Sequence, residues 1–288
     1  MRVEADSKPS FIPRASGDCL GAIVMIESCY ATMHRVRRET VFLGDAMTTV
    51  IIGATGTTGS CLARRLVAAG KPVFLVGRNE ERLQVLAREL NSQYAVADLS
   101  SSDSLSAGVS DAGPMDSFVN CVGSILLKPA HLTSDAEFRE VVETNLFSAF
   151  ATVRCAGKLL RERGGSVVLM SSAAAKLGIA NHEAIAAAKA GIEGLARSAA
   201  ATYAGANIRF NVVSPGLVKT NLTKRIWEAP AMASASAELH ALGRLGEPEQ
   251  IASLIAWLID PENHWITGQV IGVDGGLGSV QPRRKVQV

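Results

Sequence analysis

Three regularly spaced glycines directly follow the first strongly apolar run after Met47. Gly53, Gly56 and Gly59 follow Val50–Ile52 and open a segment of helical periodicity. Glycine lets the backbone turn tightly and approach a pyrophosphate, whose charge is favoured by the N–H groups of a helix start. A glycine triplet alone is a weak signal, but between a strand and a helix it predicts a dinucleotide phosphate site.

The end of the next apolar run indicates which dinucleotide binds. NAD sites usually carry a carboxylate about 20 residues after the glycines, where it binds the ribose 2′-hydroxyl. Here Gly77 occupies that place and Arg78 follows it. The missing acid removes a repulsion, and a guanidinium can bind a 2′-phosphate through two hydrogen bonds. We therefore expect NADP(H); the alternative is that Arg78 is a solvated residue at a helix start.

Apolar runs and helical segments alternate from Met47 onward, and these elements must position the candidate residues. The expected strands are near-continuously hydrophobic: Val50–Ile52, Val73–Val76, Ala95–Ala97, Ser117–Cys121, Ser166–Met170, Ile208–Val213 and Val270–Val273. The expected helices are Ser60–Ala69, Glu80–Leu90, Ser102–Gly108, Asp135–Arg163, Glu183–Tyr203 and Pro248–Leu258. Strands of this kind are buried on both faces of a parallel sheet. The pattern predicts an α/β fold, a Rossmann-type doubly wound domain with a mostly seven-stranded parallel sheet flanked by helices on both faces.

Several motifs in this order resemble the short-chain dehydrogenase/reductase (SDR) family from Met47 to about Ser279. They are the glycine turn, Asp98-Leu99, Asn120-Cys-Val-Gly123, Ser171-Ser172, Lys189, Pro215-Gly216, Gly243-Arg244-Leu-Gly-Glu-Pro248 and Val273-Asp-Gly-Gly276. Two motifs depart from the usual pattern. The turn reads GxxGxxG rather than TGxxxGxG, and Asn120-Cys-Val-Gly123 replaces Asn-Asn-Ala-Gly.

The resemblance implies a set of cofactor-binding residues. Asp98 and Leu99 would lie by the adenine, Asn120 and Gly123 beside the adenosine ribose, and Pro215, Val218 and Thr220 against the nicotinamide. The full set is Gly53, Thr55, Gly56, Thr57, Thr58, Gly59, Arg78, Asp98, Leu99, Asn120, Gly123, Lys189, Pro215, Val218 and Thr220.

The resemblance also implies a catalytic set, from which one member is missing. Asn145, Ser172 and Lys189 match the family's asparagine, serine and lysine. The family's tyrosine, four residues before the lysine, protonates the substrate, but position 185 is isoleucine. None of the chain's three tyrosines fits that place.

His182 is a candidate replacement for the tyrosine. It lies seven residues before Lys189, two helical turns along nearly the same face. The octet from His182 to Lys189 resembles the YxxMxxxK pattern of the enoyl-acyl-carrier reductase branch, with histidine for tyrosine. Histidine can donate or accept a proton near neutral pH. The alternatives are a surface histidine at a helix start, a water ordered by Asn145 and Lys189, or a proton from the substrate.

Two functions follow from these residues. The first is an NADP(H)-dependent oxidoreductase with an atypical proton donor, which reduces a C=O bond or an activated C=C or C=N bond of a small molecule. The second is a non-redox cofactor-binding protein, a sensor or a silent subunit, which Ile185 favours. The segment 219–242, which covers the substrate in the family, is expected to form a mobile, fairly apolar lid.

Composition restricts the partners. The chain has 288 residues, with 29 basic and 27 acidic side chains and a net charge of +2. This balance argues against a nucleic acid or an anionic membrane as partner. No apolar run reaches the ~18–20 residues that span a bilayer. Five cysteines without CxxC pairing favour neither disulfides nor a metal site, and indicate a cytoplasmic protein.

The chain divides by composition into three parts. Residues 1–46 lack sustained periodicity and are expected to form a poorly ordered N-terminal extension, 47–280 to form the dinucleotide-binding catalytic domain, and 281–288 to form a basic tail. The resemblance implies a homo-oligomer, a tetramer or dimer, assembled through the helices over 135–163 and 183–203 and the C-terminal strand region.

Overall fold

The computed structural model describes residues 47–281. The expected N-terminal extension, and the basic tail beyond its first residue, lie outside the described residues.

Seven parallel strands form one sheet in the order β3-β2-β1-β4-β5-β6-β7. They are β1 Thr48–Ile52, β2 Val73–Gly77, β3 Gln93–Val96, β4 Met115–Asn120, β5 Gly165–Met170, β6 Ile208–Pro215 and β7 Val270–Val273. The order reverses between β1 and β4, so a crevice opens outside the carboxyl ends of these two strands. In doubly wound sheets this crevice is where ligands bind.

Nine α-helices connect or cover the strands among the described residues. They are α1 Thr57–Ala68, α2 Glu80–Leu90, α3 Ser102–Gly108, α4 Asp135–Val142, α5 Ser148–Leu159, α6 Glu183–Tyr203, α7 Lys224–Trp227, α8 Pro230–Leu239 and α9 Pro248–Ile259. Successive residues of β1 point to opposite faces of the sheet. Val50 and Ile52 join the core cluster that includes residues of α3, α5 and α6, and Ile51 joins the cluster under α1, α2 and α9. The prediction of a seven-stranded parallel sheet covered on both faces is confirmed.

The expected helix over 135–163 was partly wrong. It contains a π-helical segment, Glu143–Phe147, between α4 and α5, and α5 ends at Leu159. Gly164, with φ 76°, adopts a left-handed conformation that turns the chain toward β5. Apolar periodicity cannot distinguish one π-turn within a helix, which explains why the segment was missed.

The remaining elements differ from expectation by a few residues at their ends. The first helix begins at Thr57 rather than Ser60, and the third strand ends at Val96 rather than Ala97. The expected lid over 219–242 contains two helices, α7 and α8.

Candidate functional site

The glycine turn lies at the carboxyl end of β1, beside the end of β4. Gly53 has φ 78°, and a Cβ at this residue would lie 3.0 Å from the Val122 backbone nitrogen. A Cβ on Gly59 would lie 2.5 Å from the Gly53 carbonyl oxygen, so only glycine lets α1 pack this closely on the turn. Both glycines therefore bring backbone to the crevice of the sheet.

The first helical N–H groups of α1 suit a phosphate ligand. Gly56 is the N-cap residue, with extended backbone and no side-chain hydrogen bond to the helix start. Orphan N–H groups at such a helix start attract anions. Thr55, Thr57 and Thr58 are half-buried around this turn. The turn therefore fits the pyrophosphate of a dinucleotide.

The end of β2 adjoins the turn through the Val76 carbonyl, which accepts hydrogen bonds from the backbone N–H groups of Gly53 and Ala54 at 2.9 and 3.1 Å. Gly77 is buried, and its missing Cβ would touch Leu83 at 3.4 Å. Arg78 is exposed and makes no hydrogen bond or ion pair with any described residue. Its guanidinium is thus available to an anion beside the turn.

Asp98 and Leu99 follow β3 at the same edge of the sheet. The Asp98 carboxylate accepts hydrogen bonds from the Ser100 backbone N–H and hydroxyl at 3.0 and 2.9 Å, while Leu99 is buried in the core. Asp98 is exposed, so its carboxylate orders the local turn and still faces solvent.

Asn120 holds the turn that follows β4. Its amide donates to the Thr152 hydroxyl at 2.8 Å, and its side-chain oxygen accepts from the Val122 backbone N–H at 2.8 Å. This buried bridge fixes the path of the chain to Gly123, which lies beside the two side chains described next.

Asn145 and Lys189 meet at Gly123. A Cβ built on Gly123 would lie 3.4 Å from Asn145 Oδ1 and 3.6 Å from Lys189 Nζ. Asn145 belongs to the π-helical segment; its amide donates to Ser124 Oγ at 2.9 Å and to the Val141 carbonyl at 2.8 Å. π-Turns within helices occur frequently at functional sites, because they redirect one side chain.

Lys189 is a buried ammonium group. It is 6% exposed, and Nζ donates to the Met170 carbonyl at the end of β5 at 2.9 Å. Burial lowers the pKa of Lys189 to about 8. Burial raises the pKa of the Cys121 thiol to about 12, so this thiol is protonated at neutral pH.

Ser172 and His182 lie on either side of the loop between β5 and α6. Ser172 is half-buried, and its Oγ accepts from the Ala174 backbone N–H at 3.2 Å. His182 is the N-cap residue of α6 and is half-buried, with Nδ1 2.7 Å from the Ala180 carbonyl oxygen. A carbonyl only accepts, so Nδ1 carries a hydrogen and Nε2 is left for another partner.

The surroundings of position 185 are apolar, as is the isoleucine side chain itself. Ile185 is 5% exposed and packs in a small cluster with Val141, Ala184 and Ala188. This part of α6 therefore offers no ionisable group between His182 and Lys189 except Glu183, which is exposed at the helix start.

The segment after β6 carries the last predicted residues. Pro215 ends β6, Val218 is buried and pairs with Gly246, and Thr220 exchanges hydrogen bonds with Thr223. The Asn221 backbone N–H donates to Thr57 Oγ1 at 3.1 Å. This bond joins the covering segment to the glycine turn.

His240 was not predicted and anchors the same segment. It is 4% exposed; Nε2 accepts from the Leu217 N–H at 3.1 Å, and Nδ1 donates to the Ser236 carbonyl at 2.7 Å. A Cβ on Gly216 would lie 2.5 Å from His240 Nε2. In the sequence, only Gly216 pointed to this contact. A glycine in a turn leaves space for another side chain, but the sequence does not show that His240 fills it.

Two further findings concern residues 47–281. They contain no group of three or more His, Cys, Asp or Glu residues arranged to hold a metal ion. None of their helices is long and apolar enough to span a bilayer.

A doubly wound sheet with a glycine turn at its switch point defines a class of nucleotide-binding proteins, and the comparisons place the chain within it. A family model described as enoyl-(acyl carrier protein) reductase matches residues 53–278. A tropinone reductase homolog of Arabidopsis thaliana is 34% identical over 241 residues, covering 80% of this chain and 91% of the relative. The chain belongs to the short-chain dehydrogenase/reductase family.

Two solved structures are similar across most of the chain. A short-chain type dehydrogenase/reductase from Mycobacterium ulcerans has a TM-score of 0.78 at 28% identity, covering 84% of this chain and 93% of that one. A single-residue variant of actinorhodin polyketide ketoreductase, solved with NADPH, has a TM-score of 0.76 at 27% identity, covering 83% of this chain and all (100%) of that one.

Proposed function

We propose that the protein is an NADP(H)-dependent oxidoreductase that reduces a C=O bond, or an activated C=C or C=N bond, of a small molecule, with His182 as an atypical proton donor. The observation that carries the proposal is the meeting of Asn145 Oδ1 and Lys189 Nζ at Gly123. A buried ammonium group beside an amide, at the switch point of the sheet, is suited to binding ribose hydroxyls and a water molecule.

NADPH is supported as the cofactor by three observations. The glycine turn presents helix N–H groups to a pyrophosphate, Arg78 has no partner within the described part of the chain, and the related ketoreductase was solved with NADPH. The bound cofactor supplies the hydride that adds to the substrate carbon. The reductase descriptions of the family model and of the Arabidopsis relative support reduction of C=O or C=C bonds.

The side chains of the protein then hold the substrate and move the proton. The Ser172 hydroxyl binds the substrate heteroatom, and the Lys189 ammonium binds the ribose. The Ala180 carbonyl fixes Nδ1–H of His182. This orientation leaves Nε2 as the atom that protonates the heteroatom, as in other sites where a carbonyl orients a catalytic imidazole.

A non-redox, cofactor-binding role is the second candidate, and the packing of Ile185 favours it. Ile185, at the place of the family's tyrosine, is buried in an apolar cluster and carries no proton to donate. In that case the protein would bind NADPH without turning over any substrate.

Replacing His182 separates the two candidates. Turnover of NADPH is measured with a panel of ketones, enones and imines. We expect His182→Ala to lower turnover by at least about 100-fold, because a direct proton donor contributes about 10²–10⁴-fold. NADPH affinity should stay nearly unchanged, because His182 is assigned to the substrate and not to the cofactor.

The control is His264→Ala, since His264 is exposed near the far end of α9. Ile185→Tyr provides a second arm, because it restores the family's phenol and should raise activity or rescue His182→Ala. Full activity of His182→Ala would leave the water held by Asn145 and Lys189 as donor. No turnover in either background, with NADPH still bound, would favour the silent cofactor-binding role.

A further inference from the structure

A second arginine lies over the glycine turn, and no family motif accounts for it. Arg82 is exposed on the first turn of α2, and its Nη2 donates to the Thr55 carbonyl oxygen at 3.0 Å. The contact spans 27 positions of sequence and brings a cation from the β2–α2 connection onto the turn after β1. The backbone N–H of Arg82 is itself fixed by Asn79, whose Oδ1 caps the helix at 2.9 Å.

The surroundings of Arg82 leave its charge available. It lines a surface pocket together with Thr55, Thr57 and Asn221. Glu89, a carboxylate of the same pocket, is held by Arg64 through two hydrogen bonds of 2.6 and 2.9 Å, so it does not neutralise Arg82. Glu81 also lines the pocket. A guanidinium has five N–H donors, and the Thr55 carbonyl occupies one of them.

Arg78, four residues before Arg82, is also exposed and has no hydrogen bond or ion pair with any described residue. The Val76 carbonyl accepts from the N–H groups of Gly53 and Ala54, so the residues after β2 lie against the glycine turn. A ligand whose pyrophosphate occupies that turn places its adenosine ribose toward the end of β2. Two guanidiniums, Arg78 directly after β2 and Arg82 on the glycine turn, suit a phosphate dianion, because each can offer it paired N–H donors.

We propose that Arg82 is a cofactor-specificity residue that binds the ribose 2′-phosphate of NADP(H) jointly with Arg78, and that its bond to the Thr55 carbonyl holds it in place over the glycine turn. The proposal rests on the NADP(H) assignment of the proposed function. It differs from that assignment in naming a residue of α2, which none of the family's motifs includes.

The test measures the binding of two pairs of ligands to the full-length protein. The two members of each pair differ by one phosphate. Dissociation constants are measured for adenosine 2′,5′-bisphosphate against AMP, and for NADPH against NADH, in the wild type, Arg82→Met and Arg82→Lys. Arg82→Met keeps an apolar side chain and removes the charge. Arg82→Lys keeps the charge and removes the paired N–H donors of the guanidinium. Arg88→Ala is the matched control, because Arg88 is exposed in the last turn of the same helix.

We expect Arg82→Met to weaken the two phosphorylated ligands by about 10- to 100-fold, the range for losing hydrogen bonds to a charged group. AMP and NADH should stay within about 3-fold of the wild type, Arg82→Lys should lie between, and Arg88→Ala should change nothing. An equal loss for all four ligands would show that Arg82 only supports the turn, and would overturn the proposal. Unchanged affinities would overturn it as well.

The proposed function fails in a different way. A wild type that binds NADH as tightly as NADPH would contradict the NADP(H) assignment itself, and Arg82 with it. A wild type that prefers NADPH, and loses the preference in Arg78→Met but not in Arg82→Met, would leave the proposed function standing and remove Arg82 from the site.

Discussion

Lys189 shows how the crevice sets the chemistry of a single side chain. Among residues 47–281 its ammonium group has one hydrogen-bond partner, the Met170 carbonyl, and the side chain is almost fully excluded from solvent. Desolvation disfavours the charged form, and this lowers its pKa to about 8. The buried cation therefore destabilises the folded state.

This destabilisation predicts a pH-dependent difference in stability. The unfolded chain protonates Lys189 near its ordinary pKa of 10.5 and the folded chain near 8, so folding releases a proton between these values. The destabilisation is complete below pH 8 and disappears as the pH rises to 10.5. The stability advantage of Lys189→Met over the wild type should therefore be greatest at pH 7 and shrink by about 3 kcal/mol by pH 10.5.

Urea unfolding at pH 7 and at pH 10.5 measures this difference in the cofactor-free protein. Lys176→Met is the control, because Lys176 is exposed. A difference between wild type and Lys189→Met that stays constant across this pH range would contradict the role of burial.

Residues tied to a motif could be predicted from the sequence, and residues defined by packing could not. Asn145 and Lys189 could be named from the spacing of their motifs, and the structure brings both side chains to Gly123. His240 and Arg82 were missed, because their partners are the Leu217 N–H and the Thr55 carbonyl, which are backbone groups of distant segments. Nothing in the side-chain types marks such contacts.

At the scale of elements, the close packing of α1 on the glycine turn requires that residue 59 has no Cβ. A Cβ on Gly59 would lie 2.5 Å from the Gly53 carbonyl oxygen and 3.0 Å from Ala54 Cα, and both are backbone atoms that cannot rotate away. We expect Gly59→Ala to push α1 from the turn, with a destabilisation of about 1–3 kcal/mol. The melting temperature should fall by about 3–10 °C.

NADPH binding should weaken in the same variant by more than about 10-fold, because the displaced N–H groups no longer meet the pyrophosphate. Gly205→Ala is the control: a Cβ there meets nothing within 4 Å, and the change should leave both quantities intact. Unaltered melting and binding in Gly59→Ala would contradict the close approach of α1 to the turn.

The strands were more predictable than the long helix for a physical reason. A central parallel strand is buried on both faces, so its apolar run is continuous and stands out, as in β2 and β5. The helix over 135–159 shows the same apolar periodicity on both sides of its π-helical segment. The π-helical segment carries the hydrogen bonds of Asn145 to Ser124 and Val141, and polar contacts of this kind leave no mark in a hydrophobic pattern.

At the scale of the whole molecule, apolar side chains remain exposed along α4, the π-helical segment and α5. Phe147 and Phe150 are each 49% exposed on neighbouring helical turns, and Phe138 on α4 is 44% exposed. By contrast, Ala184, Ala188 and Ala199 of α6 are buried in this chain's own core, so they cannot form part of an interface. The exposed aromatic residues are the better candidates for contact between subunits.

We propose a homodimer or homotetramer assembled through this surface, and Phe150→Asp should shift the mass toward smaller species, because it places a charge in an apolar contact. Light scattering across micromolar concentrations measures the mass. Val85→Asp, at a 66% exposed position on α2, is the matched control. A monomeric wild type would contradict the proposed assembly.

The π-turn at Glu143–Phe147 means that this helix carries one residue more than a regular α-helix needs to cover the same distance. Deleting a single residue there would leave an uninterrupted helix, easier to form than the present one. The same deletion would turn Asn145 by roughly 100° away from Gly123, since each residue advances an α-helix by that angle. A deletion in this segment would therefore change the site without disrupting the fold. The shortened chain would still fold, but the Asn145 amide would no longer lie beside Lys189.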